Sequence, residues 1–88
     1  MIAAGKDDIK KWFERGVVDG YKYMLVVYDR MEYPDDSDYP SYADDAEEAQ
    51  NKVREYGKDE LCKVMEVYDL TADMEAQLSE ERAWNLPG

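Results

Sequence analysis

Histidine is absent from this 88-residue chain. That removes the usual general base near neutral pH, the Ser-His and Cys-His nucleophile pairs, and the commonest zinc ligand. The single cysteine, Cys62, rules out an internal disulfide and a thiolate metal cluster, and it reads as a small core residue. No run approaches the ~20 apolar residues of a membrane span, and the opening MIAAGKDD lacks the apolar stretch of a signal peptide. The expectation is a cytoplasmic protein with no membrane partner. Bases are scarce, 11 against 22 acids, and no glycine-rich loop accompanies them, so direct nucleic-acid binding is not expected. Nothing asks for a cofactor.

What is abundant is negative charge, and it is local. Residues 1–28 carry a net +1, residues 29–48 a net −8 and residues 49–88 a net −4, together the −11 of the chain. The middle stretch, DRMEYPDDSDYPSYADDAEE, has Arg30 as its lone base and three tyrosines. A concentrated negative field attracts cationic partners and repels polyphosphates. A chain this short supports one core, so residues 1–88 form a single domain. With 44% apolar residues it has the material to fold.

Hydrophobic periodicity predicts the elements in the order α-β-β-α-β-α. Asp7 or Asp8 caps a first helix with Ile9, Trp12 and Phe13 on one stripe, ending at Gly16 as a left-handed residue. The run YKYMLVVYD, apolar on both faces, is the central strand. The acidic stretch, with Pro34 and Pro40, is a loop or edge hairpin over about residues 29–45, with a short strand near Tyr39 to Ala43. Asp44 and Glu47 start a second helix whose stripe is Ala46, Ala49, Val53 and Tyr56 and which ends at Gly57. LCKVMEVYDL is the next strand, and Thr71 caps a third helix over roughly 72–84 with Met74, Leu78 and Trp84 inward. The predicted class is α+β: a small three-stranded mixed sheet with three helices, mostly on one face, the second helix providing a crossover. Tyr33, Tyr42, Trp84 and Leu86 are candidates to be covered by a second copy, which would make a homodimer.

Several motifs invite chemistry. Asp36, Asp38 and Glu47 echo a calcium-loop spacing, but Pro40 and Ser41 stand where an oxygen ligand and a glycine are needed, so no metal site is expected there. Asp29 and Asp69, each ending a strand, would share a divalent metal if those strands ran parallel side by side; the plainer reading is that each caps the turn after it. The tyrosines are the least bland feature. Tyr33, Tyr39 and Tyr42 sit among carboxylates, outside any apolar stripe, and tyrosine is favoured at interfaces. The candidate binding residues are therefore Glu32, Tyr33, Asp35, Asp36, Asp38, Tyr39 and Tyr42.

The segments MLVVYD, YPSY, KVMEVYDL and AQLSEERAWN together resemble a group of small proteins encoded by phages and bacterial mobile DNA, over roughly residues 8 to 85. The shared motifs are structural, and they carry no catalytic role to particular positions. The resemblance implies a non-enzymatic accessory protein that acts in the cytoplasm of a host bacterium by binding and blocking a host or anti-phage defence protein. Beside the charge pattern, it points to a partner with a basic surface that the acidic loop occupies as a nucleic-acid mimic. Two other readings stay open. One is a homo-oligomer that sequesters a nucleotide immune signal through Lys11, Trp12 and Arg82. The other is a small enzyme using Asp29 and Asp69 with a divalent metal.

Overall fold

A computed structural model describes residues 5–29 and 37–86. The elements are α1 (Lys6–Val18), β1 (Tyr23–Asp29), β2 (Ser37–Ala43), α2 (Ala46–Gly57), β3 (Cys62–Asp69) and α3 (Met74–Leu78), an α+β protein in the expected order. The sheet order is β2-β1-β3. Both ladders are antiparallel, Tyr23 facing Ala43 in one and Asp69 in the other. A mixed sheet is therefore not what forms: β2 and β3 run the same way, but β1 lies between them, so the crossover through α2 skips a strand.

β1 explains the layers. Met24, Leu25, Val26 and Val27 are all fully buried. Successive side chains of a strand point to opposite faces, so both faces of β1 must be covered. Met24 and Val26 pack with Ile9 and Phe13 of α1, Leu78 of α3, Tyr68 and Leu70. Leu25 and Val27 pack with Ala49 of α2, Ala43, Val64 and Val67, flanked by Val53 and Tyr56. Helices thus cover both faces rather than mostly one. The apolar spacing of α2 was laid out for this: Ala49, Val53 and Tyr56 share the stripe that meets the sheet.

β3 keeps its pattern through a bulge. The register with β1 slips between Val26 and Val27, so that Met65 is an extra residue and Val64 and Val67 reach the same face.

Local details depart from expectation at the helix ends. Gly16 does not end α1, which runs on to Val18; the residue with positive φ is Gly20 (85°). Gly16 is instead a close-approach site, where a Cβ would lie 2.6 Å from the Tyr42 ring and 2.8 Å from Leu70. Gly5 is the N-cap of α1, with its amide donating to Asp8 Oδ2 at 3.3 Å. Asp45 rather than Asp44 caps α2, accepting from the Glu48 amide at 2.8 Å. The third helix is only five residues long, capped by Asp73 rather than Thr71. Thr71 is taken by Asp69, whose Oδ1 accepts from both its amide (2.8 Å) and its hydroxyl (2.6 Å).

The chain from α3 onward closes the outer edge of β3 with three different groups. Gln77, 4% exposed, accepts from the Asp69 amide at 2.8 Å and donates to the Asp69 carbonyl at 2.9 Å, standing in for a strand. Val67 donates to the Ala83 carbonyl (2.9 Å) and accepts from the Asn85 amide (3.0 Å), a parallel bridge centred on Trp84. Arg82 donates to the Met65 carbonyl at 2.9 Å, where the bulge turns it outward. At the opposite edge Pro40 lacks the N–H that another strand would need, and Lys52 caps the Tyr42 carbonyl at 2.6 Å.

Two substitutions test this packing. Gly16→Ala should cost about 1–2 kcal/mol in denaturant unfolding, because the clash outweighs the gain in helix propensity. Gly57→Ala, with open space around it, should not destabilise. Gln77→Ala leaves the Asp69 amide and carbonyl without their partner and should cost about 2 kcal/mol in the same assay.

Candidate functional site

The topology brings two segments of different origin to one end of the sheet. β1 ends and β2 begins there, with Asp29 opposite Ser37 and Tyr28 opposite Asp38. Asp29 also faces Cys62 across the other ladder, so the turn from α2 into β3 returns to the same end. That turn holds Asp59, Glu60 and Leu61. Asp59 shapes it, with Oδ1 accepting from the Leu61 amide at 2.9 Å and its carbonyl accepting from the Cys62 amide at 3.2 Å. Leu61 stays 40% exposed. Tyr28, Asp59, Glu60, Leu61, Cys62 and Lys63 line an open cleft of about 390 Å³.

The ionisable groups register the field of this end. Burial pushes the Cys62 thiol up, and the carboxylates of Asp29 and Asp59 push it further. Tyr39 is raised above the usual phenol range, first by burial and then by its hydrogen bond with Tyr56, with Asp29 adding to the effect. Burial and the two carboxylates both disfavour the thiolate form of Cys62. Asp59 and Glu60 stand beside exposed Leu61 in the turn, Asp29 faces Cys62 across the ladder, and Asp38, paired with Tyr28, points to the other face of the sheet.

The expected site residues divide as follows. Glu32, Tyr33, Asp35 and Asp36 lie outside the described residues. Asp38 sits on β2 at the hairpin end. Tyr39 and Tyr42 are an odd and an even residue of one strand and so point to opposite faces. Tyr39 meets Tyr56 edge-on at 6.4 Å beneath α2. Tyr42 stacks on Tyr21 at 5.1 Å, and its hydroxyl donates to the Trp12 carbonyl at 2.7 Å. Both rings are thus committed to internal packing. The acidic stretch is itself divided by β2: Asp29 and Asp38 lie at one end of the strand, and Asp44, Asp45, Glu47 and Glu48 at the other, roughly 20 Å away at about 3.3 Å per residue. Of the residues in the calcium spacing, Asp36 lies outside the described residues, and Asp38 and Glu47 lie towards opposite ends of β2.

The two-aspartate site does not form. In the antiparallel ladder Asp29 faces Cys62 while Asp69 faces Tyr23, which puts the two carboxylates at opposite ends of the sheet. Among the described residues there is no group of three or more His, Cys, Asp or Glu side chains placed to hold a metal.

The residues of the nucleotide reading are spread. Trp12 packs against the core under α1, and Lys11 is exposed on the same helix. Arg82 is bound to the Met65 carbonyl and lies 4.9 Å over the Trp84 ring. The cleft of about 410 Å³ that Arg82 lines has Lys63, Met65, Glu66 and Glu81 as its other walls. The remaining lysines of α1 are structural, with Lys6 donating to the Leu78 carbonyl and Lys10 paired to Glu75 at 3.5 Å. Of the residues suggested for a second copy, Tyr42 and Leu86 are partly buried against this chain's own core, Trp84 keeps 41% exposure, and Tyr33 lies outside the described residues.

Sequence reasoning missed Asp59 and Glu60. Their adjacency to the hairpin follows from strand order, and no local signal carries it. No family model matches the chain, and no curated protein or solved structure shows detectable similarity to it. No helix among the described residues is long and apolar enough to cross a membrane.

The raised groups set an alkaline limit. Tyr23, Tyr39, Tyr42, Tyr68 and Cys62 all lie above their ordinary values in the folded state, burial being the first cause for each. The unfolded chain therefore releases these protons first, and the stability they contribute is present below about pH 8.5 and lost as pH rises through the thiol and phenol range. Tm should fall steadily above about pH 9. Absorbance near 295 nm, which reports phenolate, should show part of the tyrosine signal appearing only with unfolding.

Proposed function

We propose that the protein is a non-enzymatic binding protein that inhibits or modulates a bacterial protein by occupying a basic surface, of the kind that normally binds nucleic acid. The observation that carries this reading is the meeting of the β1–β2 end with the α2–β3 turn, which gathers Asp29, Asp38, Asp59 and Glu60 at the one end of the sheet where Leu61 is exposed. Exposed apolar surface beside charge suits a protein interface, and like-signed carboxylates speed and orient the approach of a cationic partner. The antiparallel ladder puts Asp29 and Asp69 at opposite ends of the sheet, which takes away the geometric support for the metal-enzyme reading. Nucleic-acid mimicry here is a property of carboxylate spacing, because the rings of Tyr39 and Tyr42 serve the fold. The phage resemblance of the sequence supplies the context, an accessory protein made in a bacterial cytoplasm to disarm a host or defence component.

Affinity capture from bacterial lysate tests this directly. The chain should retain a basic protein that elutes as salt rises, since exposed charges are screened within ~8 Å at physiological ionic strength. A variant combining Asp35→Asn, Asp36→Asn, Asp38→Asn and Glu60→Gln should bind that protein at least about tenfold more weakly, with a flattened salt dependence. Equal retention by the neutralised chain would remove the acidic end as the contact.

A further inference from the structure

The outer edge of β3 is closed by a segment with few attachments. β3 meets β1 in seven registered pairs, whereas residues 82–86 hold β3 through two backbone hydrogen bonds at Val67 and the Arg82 guanidinium at the bulge. Of that segment only Ala83 is fully buried; Arg82 and Trp84 are exposed, and Asn85 and Leu86 are half-buried. Few buried contacts and solvent-accessible hydrogen bonds place a segment at the low end of local stability. Its tether, residues 79–81, belongs to neither helix nor strand and lets Leu78 and Arg82 lie up to about 14 Å apart when extended.

Opening has a cost that selects what comes next. It leaves the Val67 amide and carbonyl and the bulge carbonyls unpaired, and it vacates the slot of Ala83. A bare strand edge is a template for pairing. At β2 the corresponding edge is blocked by Pro40 and Lys52, so β3 is the edge that can be opened. The occupant with the right complement is already defined by the fold: the Ala83 carbonyl, the Asn85 amide and the Arg82 guanidinium, offered by another molecule.

We propose that residues 82–86 form an exchangeable edge strap, so that two copies of this chain dimerise by each closing the β3 edge of the other. In the dimer every bond of the closed monomer is remade in trans, and the contact between Asn85 Nδ2 and Glu80 Oε1 (3.3 Å), which holds the strap near its own tether, is the local interaction exchange must release. This inference is independent of the acidic end, which lies outside the exchanged segment.

Hydrogen exchange and light scattering test it together. The Val67 amide, bonded to the strap, should exchange about tenfold or more faster than the Leu70 amide, which is bonded to Lys22 next to β1. Deleting Glu80 and Glu81 shortens the tether so that the strap no longer reaches its own edge; the variant should be a dimer by light scattering with Leu70 protection retained. Inserting two glycines after Glu80 should lower the dimer share below that of the unmodified chain at equal concentration. Equal exchange at Val67 and Leu70, or a folded monomeric deletion variant, would overturn the proposal. Should the deletion variant fail to fold, an unchanged dimer share in the insertion variant would overturn it equally.

Discussion

Everything in this fold answers to a strand that is apolar on both faces. Met24 to Val27 cannot be left open on either side, and at roughly 1.5–3 kcal/mol for each large side chain buried they are a large share of what a domain this small can gather. Two layers of helix follow from that requirement: α1 and α3 on one face, α2 on the other. It also places β1 in the middle of the sheet, because only a central strand is shielded along both edges as well. Both of its neighbours run antiparallel to it, and the crossover helix between them passes over its face.

A three-stranded sheet has two edges for one interior strand, and the chain treats them separately. The β2 edge is made unreceptive by a proline and a lysine. Along β3, a buried glutamine, a short parallel strap and a guanidinium each take outward-facing groups. The bulge that keeps Val64 and Val67 in the core is also what gives Arg82 its carbonyl to hold, so core registry and edge closure are coupled.

The acidity acquires a shape only through this topology. As a linear run, Asp29 to Glu48 looks like one patch. In the fold β2 divides it, and its last members serve the start of α2, where negative charge opposes the positive end of the helix dipole. The hairpin end gains Asp59 and Glu60 in exchange, from a turn some twenty residues further along the chain. The tyrosines change role as well. Tyr39 and Tyr42, conspicuous among carboxylates, are packing residues on opposite faces of an edge strand, and the fit of Tyr42 explains why position 16 must be glycine.

The sequence by itself determined the class, the order of the elements, the central position of the YMLVVYD strand and the stripe of α2, because hydrophobic periodicity is a local property that a strand or helix must satisfy whatever lies beyond it. It also determined that this chain holds no histidine and no internal disulfide. Strand direction, the bulge at Met65, the brevity of α3 and the purpose of Gly16 were decided by tertiary structure. Each depends on a partner distant in the chain: the apolar residues that predict a helix to Trp84 are spent on closing a sheet edge, and a glycine that ends helices elsewhere is here kept small by a ring from β2. The candidate site belongs to the same group, since Asp59 and Glu60 meet the hairpin only because an antiparallel β3 starts where β1 ends.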